Sequence, residues 1–73
     1  MKIEYDKEAD ALYISFKKAK IHMTVEKGKD IIEDFDEGGS VVGVEILDYS
    51  QKVSPKDRFQ ISSGQQKVSV TVR

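Results

Sequence analysis

Residues 34–48 read Asp34-Phe35-Asp36-Glu37-Gly38-Gly39-Ser40-Val41-Val42-Gly43-Val44-Glu45-Ile46-Leu47-Asp48. Turn-forming residues fill the middle of this stretch and apolar residues lie on both sides of it. Asp36, Glu37, Gly38 and Gly39 supply the turn, because a hairpin loop with a bulge needs a residue at positive φ and glycine reaches that region without a Cβ clash. The stretch, with Ile31-Ile32-Glu33 before it, therefore reads as one β-hairpin. Setting Asp36 against Ser40 places Phe35 opposite Val41, Glu33 opposite Gly43 and Ile31 opposite Glu45. On the other face Ile32 meets Val44 and Asp34 meets Val42. That second face also gains Ile46, which makes it the expected core. Phe35, Val41 and Leu47 leave the first face in need of partial cover. Gly43 in mid-strand predicts a kink or a close approach by a neighbouring group.

Moving toward the N-terminus, Ile21, Met23 and Val25 alternate with His22, Thr24 and Glu26, which predicts a strand ended by the turn Lys27-Gly28-Lys29. Ala11-Leu12-Tyr13-Ile14-Ser15-Phe16 alternates with the same period, with Leu12, Ile14 and Phe16 on one face and Tyr13 on the other. Ala and Leu favour helix, but Tyr-Ile-Ser-Phe argues for strand. Ile3 and Tyr5 mark one side of a first short strand. Between them lies Asp6-Lys7-Glu8-Ala9-Asp10, a polar connector in which Asp6 is placed to cap a tight loop or one helical turn by accepting a backbone N–H.

Toward the C-terminus the period of two disappears after Asp48. Pro55 allows helix only in a first turn, and Ser54 is a suitable cap with Asp57 three residues on, so a short helical turn is expected over residues 54–60. Lys67 to Arg73 closes the chain with Val68, Val70 and Val72 on one face of a last strand, which at a sheet edge would be free to pair with another chain. The fold class expected is mainly β: an antiparallel β-meander of five to six strands, with at most one short helix near residues 50–60.

The 73 residues allow one domain, residues 1–73. A chain of this size buries about 60% of its unfolded surface, so its stability is on the order of a few kcal/mol. With no cysteine there is no disulfide or thiolate zinc site to help. Self-association or a small hetero-complex is the expected remedy. No apolar run approaches a signal-peptide core or a membrane span, which points to a cytoplasmic protein. Residues 1–50 carry 7 Lys and Arg against 12 Asp and Glu, a net of −5, and residues 51–73 carry 5 against 1, a net of +4. Such asymmetry favours association of unlike ends, although scattered surface charge is the commoner origin.

Two segments resemble a widespread family of small prokaryotic domains of unknown function. One is Tyr5-Asp6-Lys7-Glu8-Ala9-Asp10-Ala11-Leu12-Tyr13-Ile14. The other is Asp34-Phe35-Asp36-Glu37 through Gly39, then Val42-Gly43-Val44-Glu45-Ile46-Leu47-Asp48 and Ser50. The resemblance implies a compact β-meander with variable cover after the Asp-x-Ser segment, and no established activity. It also implies a protein-binding role, since some members are thought to sit beside small toxin-like genes. This chain departs from the family in its tail, where Pro55 and a valine strand stand in place of a Lys-Arg-Leu helix start.

Chemistry-bearing residues are few. Glu33, Asp34, Asp36, Glu37, Glu45 and Asp48 offer carboxylates for a hard cation, but the spacing is not that of an EF-hand loop and strand register splits them between faces. Turn formation and edge charge account for most of them. Glu45, between Val44 and Ile46, suits a structural hydrogen bond or a lysine pair. His22 is the single histidine and has neither a nucleophile nor a second ligand near it in sequence. Lys17, Lys18 and Lys20 with Tyr13 make a weak case for nucleic acid, diluted by acidic neighbours. The reading adopted is a non-enzymatic protein-interaction module without cofactor or metal, antitoxin-like or regulatory. It would bind a protein partner or itself through Tyr13, Phe35, Val41 and Leu47, or through the edge formed by Val68, Val70 and Val72. The alternative is a weak divalent-metal-binding or minor enzymatic domain using Glu33, Asp36 and Glu45.

Overall fold

A computed structural model describes residues 1–52 and 69–72. Strands β1 (Lys2–Asp6) and β2 (Ala11–Ser15) form a first hairpin, and β3 (Met23–Glu26), β4 (Ile31–Phe35) and β5 (Val41–Ile46) follow as three consecutive antiparallel strands. A single turn of helix, α1 (Tyr49–Lys52), comes next, and β6 (Ser69–Val72) ends the described chain. The mainly β fold expected from the alternation is therefore present, with one short helix. The helix starts at Tyr49; the turn expected over residues 54–60 lies outside the described residues.

All six strands belong to one sheet in the order β3-β4-β5-β2-β1-β6. Strands β1 to β5 pair antiparallel wherever they neighbour one another, whereas β6 runs parallel to β1. The order is not consecutive throughout. Residues 16–22 carry the chain from β2 at the sheet centre to β3 at the edge, so that β2 pairs with β5 and the two hairpin units join there.

Each turn uses the chemistry its residues offer. Asp6 Oδ1 accepts the N–H groups of Glu8 and Ala9, as its position before the connector suggests. Asp36 accepts from the Ser40 N–H through Oδ1, and its own N–H donates to the Ser40 carbonyl. Gly39 takes the positive φ of 85° that the hairpin loop requires.

The hairpin register differs from the expected one beyond its first pair. Phe35 does oppose Val41, but Asp34 opposes Gly43, so Val42 is an extra residue in a β-bulge. Every later pair is displaced by one. Glu33 faces Val44, Ile32 faces Glu45 and Ile31 faces Ile46. Because side chains alternate with a period of two, the slip moves Ile31 to the face of Val44 and Ile46 and sends Ile32 to the opposite one.

The core lies on the face carrying Ile3, Leu12 and Tyr49, with Tyr5, Ile14 and Ile46 packed against them. Ile3 and Leu12 are 0% and 1% exposed. Helix α1 contributes Tyr49, whose ring meets that of Tyr5 at 5.7 Å and 57°, a tilted contact favoured by the ring quadrupoles. Phe16, Ile21 and Met23, on the apolar sides of the alternating segments, are 48%, 47% and 52% exposed. The edge position of β3 accounts for Met23: among the described residues, no strand lies beyond β3 for it to bury against. Among the described residues, no helix is long and apolar enough to cross a membrane.

Candidate functional site

The sheet face opposite the core carries a row of polar side chains. Register sets Glu4 against Tyr13 and Tyr13 against Glu45, while Thr24 meets Asp34 and Asp34 meets Gly43. Gly43 has no side chain, and the Tyr13 ring fills the space over it; a Cβ there would stand 2.3 Å from the Tyr13 hydroxyl. This is the close approach that a mid-strand glycine predicts. Lying across β5, Tyr13 Oη donates to Asp34 Oδ2 at 2.8 Å, and Thr24 Oγ1 donates to Asp34 Oδ1 at 2.7 Å. One carboxylate thus ties β2, β4 and β3 together over the backbone of β5.

The Tyr13 hydroxyl is pushed up to about 12, chiefly by burial, then by its hydrogen bond to Asp34 and the fields of Asp34 and Glu45. The phenol stays neutral at physiological pH and acts as a donor. Since the folded value is raised above the ordinary 10, the stability linked to keeping this phenol neutral is complete below pH 10 and is lost as pH rises through about 12. In an alkaline absorbance titration of the folded protein, Tyr13→Phe should remove a late-ionising tyrosine component. The same substitution should cost about 1.5 kcal/mol in urea unfolding, the low end for a hydrogen bond to a charged acceptor.

Beside Tyr13 a shallow groove of 270 Å³ is lined by Glu4, Asp6, Ala9, Ala11, Tyr13 and Glu45. Its three carboxylates face a neutral phenol. Among the described residues, no group of three or more His, Asp or Glu side chains is placed to hold a metal ion. The trio Glu33, Asp36 and Glu45 does not converge. Glu33 lies on the face of Val44 and pairs with Lys27 at 3.2 Å, and Asp36 sits in the hairpin turn bonded to Lys17. Glu45 is on the opposite face from Glu33, next to Tyr13. The Lys17 ammonium, followed by the Ser40 N–H, holds the Asp36 carboxyl below the ordinary range.

A second carboxylate has a structural task. Asp10 Oδ1 accepts from Tyr5 Oη at 2.6 Å and from the Ser50 N–H at 3.0 Å, while its Oδ2 accepts from Ser50 Oγ at 2.7 Å. The Asp10 carbonyl takes the Tyr49 N–H at 3.0 Å. The β1–β2 turn therefore holds the start of α1 and sets Tyr49 into the core. Lys52, at the other end of α1, reaches the Leu47 carbonyl at 2.6 Å and Asp30 at 3.3 Å.

The residues expected to form an interaction surface fall in different places. Tyr13 is on the polar face and is engaged with Asp34, whereas Phe35 pairs with Val41 and with Met23 on the other face. Phe35, Val41 and Leu47 are half-buried. Val70 and Val72 lie in β6, paired in register with Ile3 and Tyr5, and Val68 lies outside the described residues. Sequence reasoning missed the exposed trio Phe16, Ile21 and Met23. The signal available was the seven-residue link 16–22, long enough to carry the next strand away from β2.

The family described as protein of unknown function (DUF2283) matches residues 2–50. An uncharacterized protein of Methanocaldococcus jannaschii is 47% identical over 61 residues, covering 84% of this chain and 51% of that protein. The chain thus spans about half the length of the curated relative it matches. No solved structure gives a significant match.

Proposed function

From the premise that the chain belongs to this family of proteins of unknown function, we propose that it is a non-enzymatic protein-interaction module, antitoxin-like or regulatory, working in the cytoplasm. The observation that supports this reading best is the exposed apolar set Phe16, Ile21 and Met23, each about half accessible, at and just before an edge strand. Single exposed apolar residues are ordinary, but three within eight positions, beside a strand edge that no described residue pairs with, match what strand-addition partners recognise. The carboxylates argue in the same direction. Asp10, Asp34 and Asp36 are each engaged in hydrogen bonds that hold elements together, which is a structural use of acidic groups.

Native mass spectrometry tests the reading on the purified protein, alone and with the product of the neighbouring gene. The expected result is an oligomer or a stoichiometric complex, weakened at least tenfold by Met23→Lys. A monomer under both conditions overturns the proposal.

A further inference from the structure

We infer that the link 16–22 and the start of β3 form a docking surface for an anionic lipid bilayer. Phe16, Ile21 and Met23 enter the interface, and Lys18 and Lys20 meet the lipid phosphates. This goes beyond the protein-interaction reading, because a bilayer contacts side chains here and leaves the main-chain groups of β3 untouched.

Every residue from Phe16 to Thr24 is exposed. The stretch reads Phe16-Lys17-Lys18-Ala19-Lys20-Ile21-His22-Met23-Thr24, so three apolar side chains, each about half accessible, are interleaved with three lysines. No Asp or Glu occurs from Ala11 to Val25, although residues 1–50 as a whole are net acidic. Both ends of the link are tied beside the β4–β5 turn. The Phe16 N–H donates to the Val42 carbonyl at 2.8 Å, and the His22 N–H donates to the Phe35 carbonyl at 2.8 Å. The connections 7–10 and 27–30 lie at the opposite end of the sheet, with α1. Basic and apolar side chains are thereby gathered at one end of the molecule.

Part of the local charge is compensated. Asp36 holds Lys17, and Glu37 borders a shallow groove with Lys20, Ile21 and His22. Lys18 and Lys20 make no ion pair or hydrogen bond, and they carry the uncompensated charge. Lys2 of β1 adds a further cation, lining a groove of 400 Å³ with Phe16, Lys17 and Lys18. Lysine stems can lie along apolar surface while their ammonium groups reach phosphate. Affinity for an anionic bilayer grows with both the apolar area inserted and the number of cations at the headgroups, and this segment supplies both together. Nucleic acid would match the lysines, but Ile21 and Met23 offer no planar face on which a base could stack. An acidic protein surface would match the lysines and leave three apolar side chains in water. Among the described residues no helix is long and apolar enough to cross a membrane, so the contact proposed is with the bilayer surface.

Co-sedimentation with vesicles tests the proposal, using phosphatidylcholine alone and phosphatidylcholine mixed with phosphatidylglycerol in equal amounts. Circular dichroism confirms that each variant is folded. At low salt the protein should partition at least tenfold more strongly onto the mixed vesicles than onto the zwitterionic ones, and rising salt should weaken the binding. Lys18→Glu combined with Lys20→Glu should reduce partitioning about tenfold or more. The control Lys7→Glu combined with Lys29→Glu makes the same change in net charge at exposed positions on the opposite end of the sheet, and should reduce it far less. Ile21→Ser, at an exposed position before β3, should weaken binding severalfold without changing the charge. Absence of partitioning at low salt, equal partitioning onto the two kinds of vesicle, or equal losses in the two lysine pairs overturns the proposal. Binding of a single-stranded oligonucleotide in place of the vesicles assigns the lysines to nucleic acid and overturns it too. The protein-interaction reading stands or falls separately, because the complexes sought by native mass spectrometry depend on Met23 and not on Lys18 or Lys20.

Discussion

Gly43→Ala is expected to destabilise the fold by about 3 kcal/mol, the upper part of the usual range for overpacking a filled site. Backbone propensity alone argues the opposite, because glycine inside a strand costs about 0.5–1 kcal/mol relative to alanine. Space decides the sign. The added Cβ would stand 2.3 Å from the Tyr13 hydroxyl, 2.6 Å from its Cζ and 2.9 Å from the Ile14 carbonyl oxygen. The tyrosine can swing away only by giving up its bond to Asp34, and the Ile14 carbonyl belongs to the neighbouring strand β2 at the centre of the sheet. With a total stability on the order of a few kcal/mol for a chain this small, most molecules should be unfolded. Urea unfolding checks the size, and a double-mutant cycle checks the cause. Removing the ring with Tyr13→Ala should make Gly43→Ala cheaper, leaving a residual cost from the Ile14 carbonyl. Additive effects would show that the two side chains do not meet.

Asp10→Ala is expected to cost about 3 kcal/mol, since it deletes a carboxylate that accepts from the Tyr5 hydroxyl and from both the N–H and the hydroxyl of Ser50. Hydrogen bonds to charged acceptors are worth about 1.5–3 kcal/mol each, with incomplete additivity. Asp10 also holds φ at 51°, a conformation that costs alanine more than asparagine or glycine. Asp10→Asn, which keeps one acceptor oxygen and tolerates that backbone, should lose less. Asp10→Gly relieves the backbone and still loses the bonds, so a large loss in the glycine variant assigns the effect to the carboxylate. Near-ultraviolet circular dichroism supplies a local readout, because the Tyr5–Tyr49 ring contact depends on α1 being held in place.

Much of this architecture follows from residues that can be read in order. Alternation in Ala11–Ser15 and Val41–Ile46, glycine in the hairpin loop and the capping role of Asp6 are local properties, and each appears where its chemistry requires. The bulge at Val42 is different. The turn fixes the Phe35–Val41 pair in either arrangement, and what selects the extra residue is tertiary: Gly43 must come opposite Asp34 and beneath Tyr13, a residue thirty positions away. The same slip decides that Ile32 leaves the core face. Strand order was hidden for a related reason, since period two gives faces and not neighbours. The segment resemblance carried Asp10 and Ser50 without revealing their bond, forty residues apart. The exposed set Phe16, Ile21 and Met23 looks like core by pattern alone; only its place at a sheet edge turns it into surface.

Residue-resolved amide hydrogen exchange at increasing protein concentration addresses most directly whether the interaction module associates through β3, where alternation from the bond between the Lys27 N–H and the Ile31 carbonyl turns Thr24 and Glu26 away from β4. The N–H groups of Val25 and Lys27, bonded to β4, should be protected at every concentration. Those of Thr24 and Glu26 should exchange quickly in dilute solution and slow progressively as concentration rises, with the exposed turn at Lys29 unchanged. Fast exchange at Thr24 and Glu26 from micromolar to millimolar protein, with Val25 and Lys27 still protected, would contradict it.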